Sequence, residues 1–171
     1  EFLININQHL MLEKNNNKFS TKQVIDALIT LDKCNKIEEI SSRVSYLAKL
    51  YPDSYELYQT VGVIFLKNGN YFEAKLNFQK AIELKPKCPD LYNDFGITLI
   101  ALEDYNLAKK ILSKANSLFP DNIECFYNLG NAYKITGDYN DAITAYQKCL
   151  KLNPFYFKAY KNLFIVFQLI K

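Results

Sequence analysis

Residues 123–156 read IECFYNLGNAYKITGDYNDAITAYQKCLKLNPFY. Two helical stretches are legible in them. The first runs from about Glu124 to Ile135, and Thr136-Gly137-Asp138 forms a turn. The second runs from about Tyr139 to Leu152 and stops at Asn153-Pro154. Proline ends helices because it lacks the backbone N–H and its ring clashes with the preceding turn. The same stop recurs at Pro52, Pro86, Pro120 and Pro154, with 34 residues between successive members. A fixed period of that size marks a stack of repeated units.

With each of these prolines at position 32 of a unit, the units run 21–54, 55–88, 89–122 and 123–156, with a half unit at 157–171. Position 8 reads Leu28, Gly62, Gly96, Gly130 and Phe164. Position 20 reads Ile40, Ala74, Ala108 and Ala142, and position 24 reads Val44, Phe78, Leu112 and Tyr146. Small residues at 8 and 20 let two helices approach closely, and the large residues at 24 fill the space around that contact. Unit 21–54 has Leu28 and Ile40 in place of the small pair, so its helices should pack further apart.

Local signals add detail. Ser20 with Gln23 forms a capping box. Asp90 and Asp121 read as helix N-caps, and Pro89 fits a helix start. Gly69 and Gly137 suit a left-handed helix end. Glu103 holds the equivalent place, where that conformation costs a non-glycine residue roughly 1–2 kcal/mol. A different turn is therefore expected at Leu102 to Asp104. Before the repeats, Phe2, Leu3, Ile6, Leu10 and Met11 fall at helical spacing ahead of the Asn15-Asn16-Asn17 linker, so residues 1–20 read as a short helix and linker.

Phe126-x2-Leu129-Gly130-x2-Tyr133, then Ala142-x3-Tyr146, then Pro154, resembles the tetratricopeptide repeat pattern. Units 55–88 and 89–122 match it nearly as well; 21–54 is divergent, and 157–171 resembles a lone first helix. The resemblance implies an all-α fold, a right-handed α-α superhelix of stacked antiparallel helix pairs. It also implies that positions 2, 5, 6, 9, 12 and 13 of each first helix line a concave groove. On this chain those rows supply Gln59, Val63, Asn93, Asp94, Ile97, Tyr127, Asn128, Asn131, Lys161 and Asn162. An asparagine offers both a donor and an acceptor to a peptide backbone, so Asn128 and Asn162 would hold an extended segment irrespective of its sequence. Asparagine on a wet helix face also needs no ligand to explain it. The groove changes sign along its length, from Glu56, Asp90, Asp94 and Glu124 to Lys134, Lys158 and Lys161.

Other classes lack residues. The sole histidine, His9, lies outside the repeats, and no nucleophile elbow, phosphate loop or HExxH motif occurs. No catalytic residue, cofactor or metal is expected. Cys34, Cys88, Cys125 and Cys149 show no CxxC spacing and read as reduced, mostly buried thiols of a cytoplasmic, intracellular protein. The net charge of +3 comes from scattered basic residues, which argues against nucleic acid. No apolar stretch is long enough to span a bilayer, and no signal peptide is evident.

The expected function is a protein-interaction scaffold or adaptor that binds a segment of another protein. The runner-up is a recognition domain of a larger enzyme, such as a glycosyltransferase or sulfotransferase. The clamp for a chaperone's terminal carboxylate is absent: Gln59, Val63, Asp94, Glu124 and Asn128 stand where its lysines, asparagines and arginine belong. The end of the chain leaves three readings open. Phe164 and Phe167 serve self-association into a homo-oligomer, or Phe164 plugs a vacant site, or the array continues.

Overall fold

The computed structural model describes residues 19–171. The helix expected around Phe2 to Met11 lies outside the described residues. Within them there are nine helices and no strand. They are α1 (Thr21–Lys33), α2 (Ile37–Leu50), α3 (Tyr55–Lys67), α4 (Tyr71–Leu84), α5 (Pro89–Ala101), α6 (Tyr105–Leu118), α7 (Ile123–Thr136), α8 (Tyr139–Leu152) and α9 (Phe157–Leu169). Successive helices pair, and successive pairs stack into an all-α superhelix.

The repeat columns become contacts. A methyl group on Gly62 would meet the Phe78 ring at 2.8 Å, one on Gly96 would meet Leu112 at 2.5 Å, and one on Gly130 would meet Tyr146 at 2.6 Å. Position 8 is glycine because position 24 occupies its space. Ala74, Ala108 and Ala142 are fully buried beside these contacts. In the first pair, Leu28 and Ile40 are buried instead. The backbones of α1 and α2 approach closely at far fewer places than those of α3 and α4.

Caps fix the helix starts. The Ser20–Gln23 box forms as expected. Ser54, Asp104 and Asn122 each accept a bond from the backbone N–H three residues on. Two expected caps are not caps. Asn122, one residue after Asp121, takes that role for α7. Pro89 is the first residue of α5, which puts Cys88 at the cap and Asp90 inside the first turn.

The turn at Glu103 is also a correction. Glu103 adopts φ 60°, matching Gly69 at 78° and Gly137 at 81°. Asp104 N–H bonds to Leu99 O at 2.9 Å, as Asp138 N–H does to Tyr133 O. Helices fixed on both sides impose the shared turn despite its local cost.

The core divides. One cluster runs from Val24 through Phe65 and Phe78 to Ala108. A second joins Ala142, Tyr146, Cys149, Ala159, Leu163 and Val166. Tyr92, Ala115 and Cys125 form a small cluster between them. Cys125 and Cys149 are buried, Cys88 is half-buried and Cys34 is exposed, so the expectation of buried thiols holds for only part of the set. Burial pushes both buried thiols up to about 12, which keeps them protonated. Phe164 is 64% exposed and Phe167 is 48% exposed. Phe164 therefore does not act as a plug.

Candidate functional site: the inner groove

The first helices α3, α5, α7 and α9 pack side by side and present a shared face, the candidate groove. Its centre is a chain of carboxamides. Asn128 Nδ2 donates to Asn93 Oδ1 at 2.6 Å, from α7 to α5. Asn131 Nδ2 donates to Asn128 Oδ1 at 3.4 Å. Asn162 Nδ2 donates to Asn131 Oδ1 at 2.8 Å and to the Tyr127 hydroxyl at 3.2 Å, from α9 to α7. The Tyr146 hydroxyl donates to Asn131 Oδ1 at 2.8 Å. Lys134 Nζ donates to Asn162 Oδ1 at 3.1 Å.

Asn128 and Asn162 are each only 7% exposed. Buried amides are stable because they satisfy one another. The network therefore serves two purposes: it ties three repeats together and fixes the direction of each amide. Lys134 uses one of its three N–H bonds on Asn162, so donors remain for a ligand.

Beside this network lies a cavity of about 330 Å³, lined by Ile97, Ile100, Tyr127, Asn128, Asn131, Lys134, Ile135 and Asn162. Five of the sequence-selected residues thus meet at one place: Ile97, Tyr127, Asn128, Asn131 and Asn162. Asn93 joins them through its bond to Asn128. Gln59, Val63, Asp94 and Lys161 do not line the cavity. Gln59 and Val63 belong to α3, one repeat further off, and Val63 packs against the core. Lys161 is exposed on α9.

Ile100, Lys134 and Ile135 complete the cavity. They sit at positions 12 and 13, rows that the resemblance assigns to the groove; of the three, only Lys134 was expected there, as a charge. A larger cavity, of about 420 Å³, opens on another face of α7, against α8, over Phe126, Leu129, Tyr133 and Ala145. Sequence reading missed it. Its signal was Ala145 at position 23, where the preceding unit has Ile111.

The electrostatics differ at the two ends of the groove. Burial, with Asp90 next, pushes the Asp94 carboxyl up to about 6 against an opposing bond from Asn93. Burial, with Lys161 next, pulls the Lys134 ammonium down from its usual value. Burial raises the Tyr146 hydroxyl above its usual range, so it stays a donor. Among the described residues no cluster of His, Cys, Asp or Glu is arranged to hold a metal ion. Among them, too, no helix is long and apolar enough to cross a membrane.

Comparison with known proteins bears on the fold. No curated protein matches the sequence. Among solved structures, MamA aligns at 18% identity and a TM-score of 0.75, over 89% of this chain and 85% of its own. YrrB, described as a TPR protein with an unusual peptide-binding site, aligns at 22% identity and a TM-score of 0.68, over 84% and 74%. The first TPR of Spaghetti (RPAP3), bound to the HSP90 peptide SRMEEVD, aligns at 22% identity and a TM-score of 0.66, over 68% and 92%. At such identities the likeness establishes the fold. Sequence models of the tetratricopeptide repeat match residues 55–88, 89–122 and 123–156. Three matches in the register set by Pro86, Pro120 and Pro154 make this chain a member of the tetratricopeptide repeat family.

Proposed function

We propose that this protein is an interaction scaffold that holds an extended segment of another protein in its inner groove. The observation that carries the reading is the cavity between α5, α7 and α9. It combines an apolar floor of Ile97, Ile100 and Ile135 with oriented amides and a lysine with spare donors. Binding sites of this kind are mostly apolar with a few fixed polar groups. Peptide recognition in the structures of Spaghetti and YrrB supports the reading by analogy of fold.

Affinity capture from a lysate tests it when wild type and the Asn128→Ala/Asn162→Ala pair are compared by mass spectrometry. The expected result is a partner set lost in the double variant and kept by Lys148→Glu, which lies on another face. Far-UV circular dichroism should show helicity intact. Identical partner sets for all three proteins would sink the proposal.

A second reading rests on α9. Tyr160, Phe164 and Phe167 are exposed on one helix, and exposed apolar patches mark contact surfaces. In this reading α9 mediates self-association. Light scattering should give a mass that rises with concentration for wild type and stays constant for Phe164→Glu. A wild type of constant monomer mass removes it.

A further inference from the structure

Charge in the groove is left unneutralised at both ends. On α5, Asp90 and Asp94 stand one turn apart, and Cys125 Sγ, next to Glu124, approaches the carbonyl of Pro89, next to Asp90, at 4.0 Å, which brings the start of α7 to these acids. Between α7 and α9, Lys134 Nζ reaches the side chain of Asn162, the residue after Lys161, at 3.1 Å, and Lys161 adds to the lowering of the Lys134 ammonium. Among the described residues, the ion pairs join Asp32, Glu39, Glu83, Asp104 and Asp138 to Lys36, Arg43, Lys67, Lys75, Lys80 and Lys109. None involves Asp90, Asp94, Lys134 or Lys161. Lys134 turns instead to a neutral amide, Asn162. Burial is the larger cause of the shifts at Asp94 and Lys134, and the like-charged neighbours Asp90 and Lys161 add to it.

The two pairs are too far apart to neutralise each other. Position 6 on α5 and position 12 on α7 differ by about 9 Å along parallel helices at 1.5 Å per residue. Neighbouring helix axes add roughly 8–10 Å sideways. The resulting separation of roughly 13 Å equals about four residues of extended chain at 3.3 Å each. Ile97, Ile100 and Ile135 line the cavity in the same groove.

We infer that the groove recognises an extended peptide carrying a basic and an acidic side chain with three residues between them, which puts both charges and the central side chain on one face of the strand. The basic group neutralises Asp90 and Asp94, the acidic group neutralises Lys134 and Lys161, and an intervening aliphatic side chain enters the cavity. The inference rests on the groove being the binding site. It adds the charge pattern of the occupant, and charge complementarity fixes the direction in which the segment lies.

Four blocked peptides provide the probes: Ac-Gly-Lys-Ala-Leu-Ala-Glu-Gly-NH2, its reversal with Glu first and Lys last, and the two like-charge versions with Lys or Glu at both places. Each is titrated into the ¹⁵N-labelled protein and followed by amide shifts. One opposite-charge peptide should bind roughly ten-fold more tightly than either like-charge peptide. Its shifts should map to Asp94, Asn131, Lys134 and Asn162. The Asp94→Lys variant should lose that preference and favour the peptide with two glutamates. Equal binding of all four at the groove would overturn the charge pattern and leave the groove reading standing. No groove shift with any of the four would count against both.

Discussion

Gly130 and Gly96 hold the same repeat position but should respond differently to a methyl group. At Gly130 the added carbon meets the Tyr146 ring edge at 2.6 Å, and the ring cannot retreat because its hydroxyl is tied to Asn131 at 2.8 Å. At Gly96 it meets Leu112 Cδ2 at 2.5 Å and Cγ at 2.7 Å, in a fully buried side chain that has no hydroxyl to tether it but little room to yield. Alanine gains up to about 1 kcal/mol over glycine in a helix, while overpacking costs roughly 1–3 kcal/mol. Both variants should therefore lose stability, Gly130→Ala more than Gly96→Ala. Urea denaturation of the two variants checks this, and equal losses would contradict it. The packing half of the argument was legible in the glycine and large-residue columns. The hydroxyl was not: Phe78 and Leu112 share the column of Tyr146 and have none, so packing alone accounted for the tyrosine. Asn128 and Asn162 were legible as a polar row. Their mutual bonds were not, because a bond from Asn128 to Asn93 depends on the offset between neighbouring repeats, which spacing within one repeat leaves open.

The turns between paired helices show how a repeated frame overrides a local preference. Gly69 and Gly137 were identified because glycine accepts a positive φ without penalty. Glu103 was expected to avoid it, and Asn35 was not singled out, yet both adopt it at φ 60° and 54°. The local cost was judged correctly. What the sequence did not reveal was that the flanking helices fix both ends of the turn and leave one closing conformation. Glu103→Gly should thus relieve roughly 1 kcal/mol of left-handed strain, offset in part by the extra freedom of glycine in the unfolded chain. Thermal unfolding should show a higher midpoint for this variant. A midpoint at or below wild type would mean that the Glu103 side chain contributes more in place than the strain costs. The caps follow the opposite logic. Asp121 and Asn122 are adjacent and both suited to the role, and the choice between them is made by where the preceding turn delivers the chain.

Stacked repeats are stabilised by each pair and by its interfaces with its neighbours, so the partition of the core predicts the order of opening. The larger cluster runs continuously from α1 to α6. The cluster of α8 and α9 is smaller, and three of its six buried members are alanine or cysteine. Between the two lie Tyr92, Ala115 and Cys125, the Asn128–Asn93 bond and the Lys109–Asp138 ion pair at 2.8 Å. Exposed ion pairs add little, whereas a buried amide bond is costly to leave unmade. The α7–α9 segment should therefore open at the lowest free energy, with α9, whose Phe164 and Phe167 are exposed, fraying within it. Native-state hydrogen exchange resolves such units. Amides of α7–α9 should exchange through one shared opening, before those of α3–α6 and at lower denaturant. Asn128→Ala should speed that opening and leave the exchange of α3 and α4 unchanged. Uniform exchange from α3 to α9, or an Asn128→Ala effect spread evenly over the chain, would show that the stack opens as one body and that the groove amides do not join its two parts.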